Sequence, residues 1–289
     1  EELRGYSTRI TEGMETLRNI GEIGTGASPR DPVYQEDKLV LYRYQPRVAE
    51  PHSIPLLIVY ALVNRPYMMD LQEDRSMIRG LLDAGIDVYL IDWGYPDAGD
   101  RTLTLGDYIH RYIGHCIDYL RDRYRQDSVN LLGVCQGGAL SLCFASLYPD
   151  KVRNLVTMVT PVDFHTPDNL LTHLIRHVNV DLLVDTFGNL PGGLLNFAFL
   201  SLSPFRLAGQ KYVDLVDILD DAEALRNFLR MEKWIFDSPD QAGEAFRQFA
   251  KDFFQQNKLV KGEVMIGERR VDLRENCMMS GSFLPLQWM

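Results

Sequence analysis

Between residues 54 and 160 the chain alternates short, almost unbroken apolar runs with segments of helical spacing, and this alternation restricts its fold more than any other feature. The runs are Pro55–Val63 (PLLIVYALV), Asp87–Trp93 (DVYLIDW), Ser128–Val134 (SVNLLGV) and Arg153–Thr160 (RNLVTMVT). Each has strand length, and Pro55–Val63 and Asp87–Trp93, with little polar alternation, suit strands buried on both faces. Between them, Asp74 to Ala84 has helical spacing (Met77, Leu81, Leu82) and stops at Gly85. Thr104 to Tyr124 carries an apolar stripe of Ile109, Ile113, Cys116, Ile117 and Leu120, and Gly137 to Leu147 forms a third helix. Lys38–Tyr44 alternates like a half-buried strand. Repeated strand–helix alternation predicts an α/β fold, a mostly parallel sheet flanked by helices. Upstream, Gly24 to Pro32 reads as a turn. Its Gly24-x-Gly26 lacks the leading strand and third glycine that a nucleotide loop requires.

Composition narrows the function. The 289 residues carry a formal charge of −10, so nothing draws the chain as a whole to nucleic acid. The 4 cysteines show no C-x-x-C spacing, which argues against a structural metal and for a reducing compartment. The longest apolar run, Ile54–Val63, is roughly half the length of a membrane span. No charged-then-apolar leader opens the chain, and Glu1 at its start reads as a processed or trimmed N-terminus. A cytoplasmic protein without a membrane span is the expectation.

After residue 164 the rhythm changes. Asp168 to Asn257 reads as helices with almost no strand character and includes the apolar stretch Leu194–Phe205. A helical block inserted in an α/β chain reads as a lid or cap over the site, with a plain helical subdomain as the alternative. Leu259 to Asp272 returns to short strand-like runs. The expected organisation is 1–164 as the α/β core with an N-terminal helix, 165–257 as the helical lid, 258–276 as a return to the core, and 277–289 as a divergent tail.

Chemistry concentrates at Gly133-Val134-Cys135-Gln136-Gly137-Gly138, between an apolar strand and a helix. This is the nucleophile-elbow pattern with cysteine in the usual serine place. A strained strand-to-helix turn leaves no room for side chains two residues either side, hence Gly133 and Gly137. The helix N-terminus aimed at Cys135 is expected to lower its thiol pKa. The backbone N–H of Gln136 then faces a developing oxyanion. A second donor belongs on the loop after PLLIVYALV, where Val63 and Asn64 both qualify. Cys116 and Cys143, among apolar helix neighbours, read as core thiols.

The histidines say less. His173 and His177 have the i, i+4 spacing of a zinc pair but no glutamate at 174 and no third ligand, so no metal is expected. His110 and His115 fall off their helix's apolar stripe. Asp163 and His165 follow the RNLVTMVT strand on the sheet edge where catalytic groups emerge, and are the weakest of the candidates, an acid–base pair.

Together, the GVCQGG elbow, Tyr148-Pro149-Asp150, Asp92-Trp93-Gly94-Tyr95-Pro96, Tyr60-Ala61-Leu62-Val63-Asn64-Arg65-Pro66-Tyr67 and Asn257-Lys258-Leu259 resemble the catalytic subunit of class III polyhydroxyalkanoate synthases, over roughly residues 1 to 275. The resemblance implies an α/β-hydrolase fold with a helical lid. It implies transfer of (R)-3-hydroxyacyl groups from coenzyme A onto a growing polyester, with no cofactor because the coenzyme A thioester is itself the substrate. It also implies a second, non-catalytic synthase subunit and residence on polyester granules. Carried onto this sequence, Cys135 takes the place of the acylated nucleophile, and Val63 and Gln136 those of the oxyanion donors. Cysteine suits the chemistry: exchange between two thioesters is nearly balanced, so the acyl group stays activated.

The sequence departs from the family at its end. An acid on an Asp-His-x-x-Pro-like loop and a base in a Gly-His segment are both missing, and the resemblance stops near Glu275-Asn276. Cys277–Met289 reads as a frameshifted or otherwise aberrant end, with a genuine divergent tail as the other possibility. The last strands, the triad acid and the triad histidine are then expected to be missing, and the chain to be inactive. Two other functions stay open: a thiol-dependent hydrolase of small esters or lactones, and a non-catalytic protein that binds granules or the partner subunit.

Overall fold

The computed structural model describes residues 24, 26–202, 215, 218–219 and 221–274. A six-stranded sheet runs in the order β1-β2-β6-β3-β7-β8. Its strands are β1 (Arg30–Glu36), β2 (Leu39–Tyr44), β3 (Leu56–Val59), β6 (Val88–Asp92), β7 (Val129–Val134) and β8 (Val152–Met158), while β4 (Asp70–Gln72) and β5 (Arg75–Ser76) form a separate hairpin. Strands β6, β3, β7 and β8 are parallel, and β2 joins antiparallel to β6.

The apolar runs of β3, β6 and β7 are explained by two faces that are both covered. Leu56 and Ile58 of β3, Val88 and Leu90 of β6, and Leu132 and Val134 of β7 share one cluster with Ile78 and Leu82 of the helix Met77–Asp83. Their alternates Leu57, Val59, Tyr89, Ile91, Val129 and Leu131 pack on the other side against the helices Gly114–Tyr124 and Gln136–Leu147. Cys116 and Cys143 are fully buried there, as core thiols.

Two elements differ from expectation. The expected turn Gly24–Pro32 gives way at Arg30 to β1, an edge strand that loses nothing from the missing N–H of Pro32, with a register shift between Pro32 and Tyr34. The helix expected over 104–124 begins as a π turn, Asp107–Ile113, before turning α at Gly114. The wider spiral lets Tyr108, Ile109, Tyr112 and Ile113 all reach the core.

Beyond β8 come the helices Leu170–Ile175, Val180–Phe187, Gly192–Leu202, Ala222–Phe236 and Gly243–Gln248, the last running on into a second π turn, Phe249–Gln255. Of the apolar stretch Leu194–Phe205, residues 203–205 lie outside the described residues. A short helix, Lys258–Lys261, and a two-residue hairpin, β9 (Met265–Ile266) with β10 (Arg269–Arg270), close the described chain. The expected strand character of 259–272 is therefore reduced to that hairpin. Among the described residues β8 is a sheet edge, with Val156 53% exposed. The tail 277–289 lies outside the described residues, as does the N-terminal helix expected before residue 24. No helix among the described residues is long and apolar enough to cross a membrane.

One buried charge holds the sheet together at the start of β6. Asp87, 2% exposed, accepts from Arg43 Nε at 3.0 Å and Nη2 at 2.8 Å, and from the Tyr124 hydroxyl. Removing the carboxylate takes the acceptor from the guanidinium and leaves the Tyr124 phenol with Tyr89 alone. Asp87→Ala is expected to cost about 3 kcal/mol, read as a lowered urea midpoint.

Candidate active site

The site is built where strands end. β7 stops at Val134, the helix starts at Gln136, and Cys135 forms the link with φ 55° and ψ −125°. A non-glycine residue there carries strain of about 1–3 kcal/mol and persists only if its surroundings enforce it. They do. Cys135 N donates to the Met158 carbonyl at 2.9 Å, and Gly138 N donates to the Cys135 carbonyl at 2.9 Å.

The glycines follow from that turn. A Cβ on Gly133 would lie 2.5 Å from Gly138 Cα, and one on Gly137 would lie 2.2 Å from the Val59 carbonyl oxygen. Gly138, which the elbow argument did not single out, is just as confined: its Cβ would fall 1.8 Å from Thr160 Oγ1.

The thiol is tuned in the opposite direction to the expected one. Burial pushes Cys135 above the ordinary cysteine value, and the Gln136 N–H, hydrogen-bonded to the sulfur, only partly offsets it. The turn does aim this donor at the nucleophile, but desolvation of the thiolate outweighs it. Tyr60 is a close neighbour, its phenol raised first by burial and then by Cys135.

The loop after β3 comes alongside. Val63 is half-buried and packs with Cys135, Met158 and Trp234 on one apolar cluster. Leu62 N donates to Gln136 Oε1 at 3.0 Å, and the Leu62 carbonyl accepts from Gln241 Nε2 at 2.9 Å. Sequence reasoning missed both amide side chains. Gln136 was considered for its backbone only, and nothing around Gln241 marks it out.

The Asp92-Trp93-Gly94-Tyr95 motif supports that loop. Asp92 accepts from Arg65 Nη2 at 2.8 Å and from Gly94 N at 3.1 Å, and Trp93 Nε1 donates to the Tyr60 carbonyl at 3.1 Å. Gly94 sits at φ +72° with the Lys38 carbonyl oxygen 2.6 Å from where a Cβ would be. The Arg65 guanidinium lies over the Tyr95 ring, 4.3 Å from its centroid. The helical region is fastened to the same loops. Tyr67 and Tyr95 each donate to one oxygen of Asp237, at 3.1 and 2.8 Å, and Trp234 Nε1 donates to the Arg65 carbonyl at 2.9 Å.

Asp163 and His165 do not form an acid–base pair with each other. The Asp163 carboxylate accepts from the His165 backbone N–H at 2.9 Å and from Asn257 Nδ2 at 2.8 Å, which together hold it below the usual carboxylate range. The His165 ring is committed elsewhere: Nε2 bonds the Phe254 carbonyl at 2.8 Å and Nδ1 faces Arg176 Nη2 at 2.6 Å. A carbonyl at Nε2 and a guanidinium at Nδ1 occupy both ring nitrogens. The sequence has 6 histidines, all among the described residues. His110 bonds Tyr148 and the Ile266 carbonyl, His115 bonds Glu36, and His173 bonds the Pro167 carbonyl. His52 precedes β3, at the opposite end of the sheet from the elbow, where its backbone N–H donates to the Gly85 carbonyl, and His177 is exposed in the helical region.

A mostly parallel sheet, helices on both faces and a strained nucleophile turn between β7 and its helix define an α/β-hydrolase-fold protein, and residues 54–264 match the family model described as "alpha/beta hydrolase fold". Residues 10–81 match a second model, "Poly-beta-hydroxybutyrate polymerase (PhaC) N-terminus". The chain is 63% identical over 277 residues to a poly(3-hydroxyalkanoate) polymerase subunit of Allochromatium vinosum, covering 95% of this chain and 78% of that one. A subunit of the same name from Thiocystis violacea is 62% identical over 275 residues, with 95% and 78% covered. Another, from Synechocystis, is 58% identical over 281 residues, with 94% and 74% covered. The chain belongs to the poly(3-hydroxyalkanoate) polymerase subunit family, an enzyme family of acyltransferases on this fold.

Proposed function

We propose that this chain accepts an (R)-3-hydroxyacyl group from a coenzyme A thioester onto Cys135, as the loading step of polyester synthesis. The observation that carries the proposal is the cysteine held at φ 55° on the strand-to-helix turn with the Gln136 N–H on its sulfur. In the step, the Cys135 sulfur attacks the thioester carbonyl carbon. The carbonyl oxygen gains the charge and is met by the backbone N–H groups of Gln136 and Val63. The bond from carbon to the coenzyme sulfur then breaks, and coenzyme A leaves with the proton given up by Cys135. One thioester replaces another and no cofactor takes part. The helical region, tied by Asp237, Trp234 and Gln241 to the loops around the site, serves as a lid.

Extension is a harder step. The hydroxyl of a second acyl unit must lose its proton as it attacks the Cys135 thioester, which calls for a base at the site. The 6 histidines of this chain bond elsewhere or lie away from the elbow. Loading is therefore the step that the described residues support, within a proposed assembly with a second, non-catalytic synthase subunit at a granule surface in the cytoplasm. Leu182 at 63% and Phe197 at 69% exposure are the most exposed of the large apolar groups among the described residues of the helical region and would meet such a surface.

The test is incubation of the chain with (R)-3-hydroxybutyryl-CoA, followed by intact-protein mass and release of free coenzyme A. One acyl group per chain, located on Cys135 and absent from Cys135→Ala, is expected, without polymer. Steady release of free 3-hydroxybutyrate would make the protein a hydrolase instead. No adduct on a folded chain would end the acyl-transfer proposal.

A further inference from the structure

We propose that Gln241 is a positioning residue that aims the Val63 N–H into the oxyanion site, a role that rests on the acyl-transfer reading of Cys135. The argument begins with one peptide unit. The carbonyl of Leu62 and the N–H of Val63 belong to the same planar, trans amide, since the described residues contain no cis peptide bond. In such a unit the two groups point in opposite directions, so whatever holds the carbonyl also orients the N–H. Gln241 Nε2 holds the Leu62 carbonyl at 2.9 Å.

The orientation of the Gln241 amide is unambiguous. Its nitrogen faces two carbonyls, Leu62 at 2.9 Å and Pro239 at 3.3 Å, which only an NH2 group can satisfy. The anchor is rigid as well. Gln241 is 5% exposed. Its backbone N–H and carbonyl both pair with those of Leu190, each at 2.9 Å. Next to it, Gly243 N donates to Asn189 Oδ1 at 3.2 Å, and Gly192 N donates to Asp240 Oδ1 at 2.8 Å. The two segments touch so closely that a Cβ on Gly192 would lie 2.0 Å from the Ser238 carbonyl oxygen. The loop must therefore follow Gln241 rather than the reverse.

The other side of Leu62 completes the grip. Its N–H donates to Gln136 Oε1, so the residue that supplies one oxyanion donor from its backbone also steadies the loop carrying the other. Gln241 reaches the same residue from a position 179 residues away, within the helical region. A lid that seats correctly thus sets the second donor, and one that does not leaves it free to turn.

The experiment compares wild type with Gln241→Glu, which keeps the shape but turns the donor into an acceptor, and Gln241→Met, which keeps the bulk without polarity. Circular dichroism establishes folding first. Loading of Cys135 by (R)-3-hydroxybutyryl-CoA in a single turnover is expected to slow at least about tenfold in both. Alkylation of Cys135 by iodoacetamide, which creates no oxyanion, should stay within about twofold of wild type. Hydrogen exchange of the 60–66 peptide should quicken in both variants while that of β3 does not. Unchanged loading, or alkylation falling in step with loading, overturns the proposal. So does unaltered exchange at 60–66. If the wild type takes no acyl group while exchange responds to Gln241→Glu, the acyl-transfer reading itself fails, and the role in the reaction falls with it.

Discussion

Gly137→Ala is expected to yield little or no soluble protein, although it adds one methyl group. That methyl would lie 2.2 Å from the Val59 carbonyl oxygen and 2.6 Å from the Tyr60 carbonyl oxygen. Both are backbone atoms at the end of a central strand, with β6 on one side and β7 on the other, so neither can move aside alone. Overpacking of this kind costs more than about 3 kcal/mol, a large share of the stability of an ordinary domain. Any folded fraction should melt at least about 6 °C lower. Gly80→Ala is the matched control. It lies in the helix Met77–Asp83 with nothing within 4 Å of the new methyl, and alanine there should stabilise by about 0.5–1 kcal/mol. Equal melting temperatures for Gly137→Ala and wild type would refute the close approach of the elbow to β3.

The contrast between these two glycines also explains what could be read from the sequence. Runs such as PLLIVYALV announce strands because each alternate residue meets a different apolar layer, and that pattern is local. The elbow was legible for the same reason: Gly133, Cys135 and Gly137 must sit at fixed spacing around one turn. Relations across the fold leave no such trace. Nothing in Ser238-Pro239-Asp240-Gln241 points to Leu62. Nor does spacing reveal that Thr160 closes over Gly138, or that Asp237 gathers Tyr67 and Tyr95. Asp163 and His165 are the reverse case. Their spacing suggested a shared direction, but the aspartate turns back to cap its own loop and the imidazole is taken by Phe254 and Arg176. The thiol pKa was misjudged on similar grounds, because a helix N-terminus can be read from sequence and the burial that opposes it cannot.

That burial leads to the second large effect, which separates a chain that loads through its own thiol from one that relies on a histidine. The rate of Cys135 alkylation by iodoacetamide should climb with pH and level off only above the ordinary cysteine value of about 8.5, because burial has moved the thiol up. Well below that midpoint each pH unit should bring about a tenfold gain, since the thiolate is the reacting form. Loading from the acyl thioester should follow the same profile. A midpoint below about 8.5 would mean that a nearby positive group stabilises the thiolate after all. Cys135→Ser then becomes decisive. A serine hydroxyl barely ionises in this range and depends on a neighbouring base, whereas no hydrogen bond among the described residues joins a histidine to position 135. The serine variant should fold like wild type and load more than about 10³-fold more slowly, with no recovery up to pH 9. Substantial loading by serine would require a base close to the turn, and the assignment of all 6 histidines to other partners or positions would have to be abandoned.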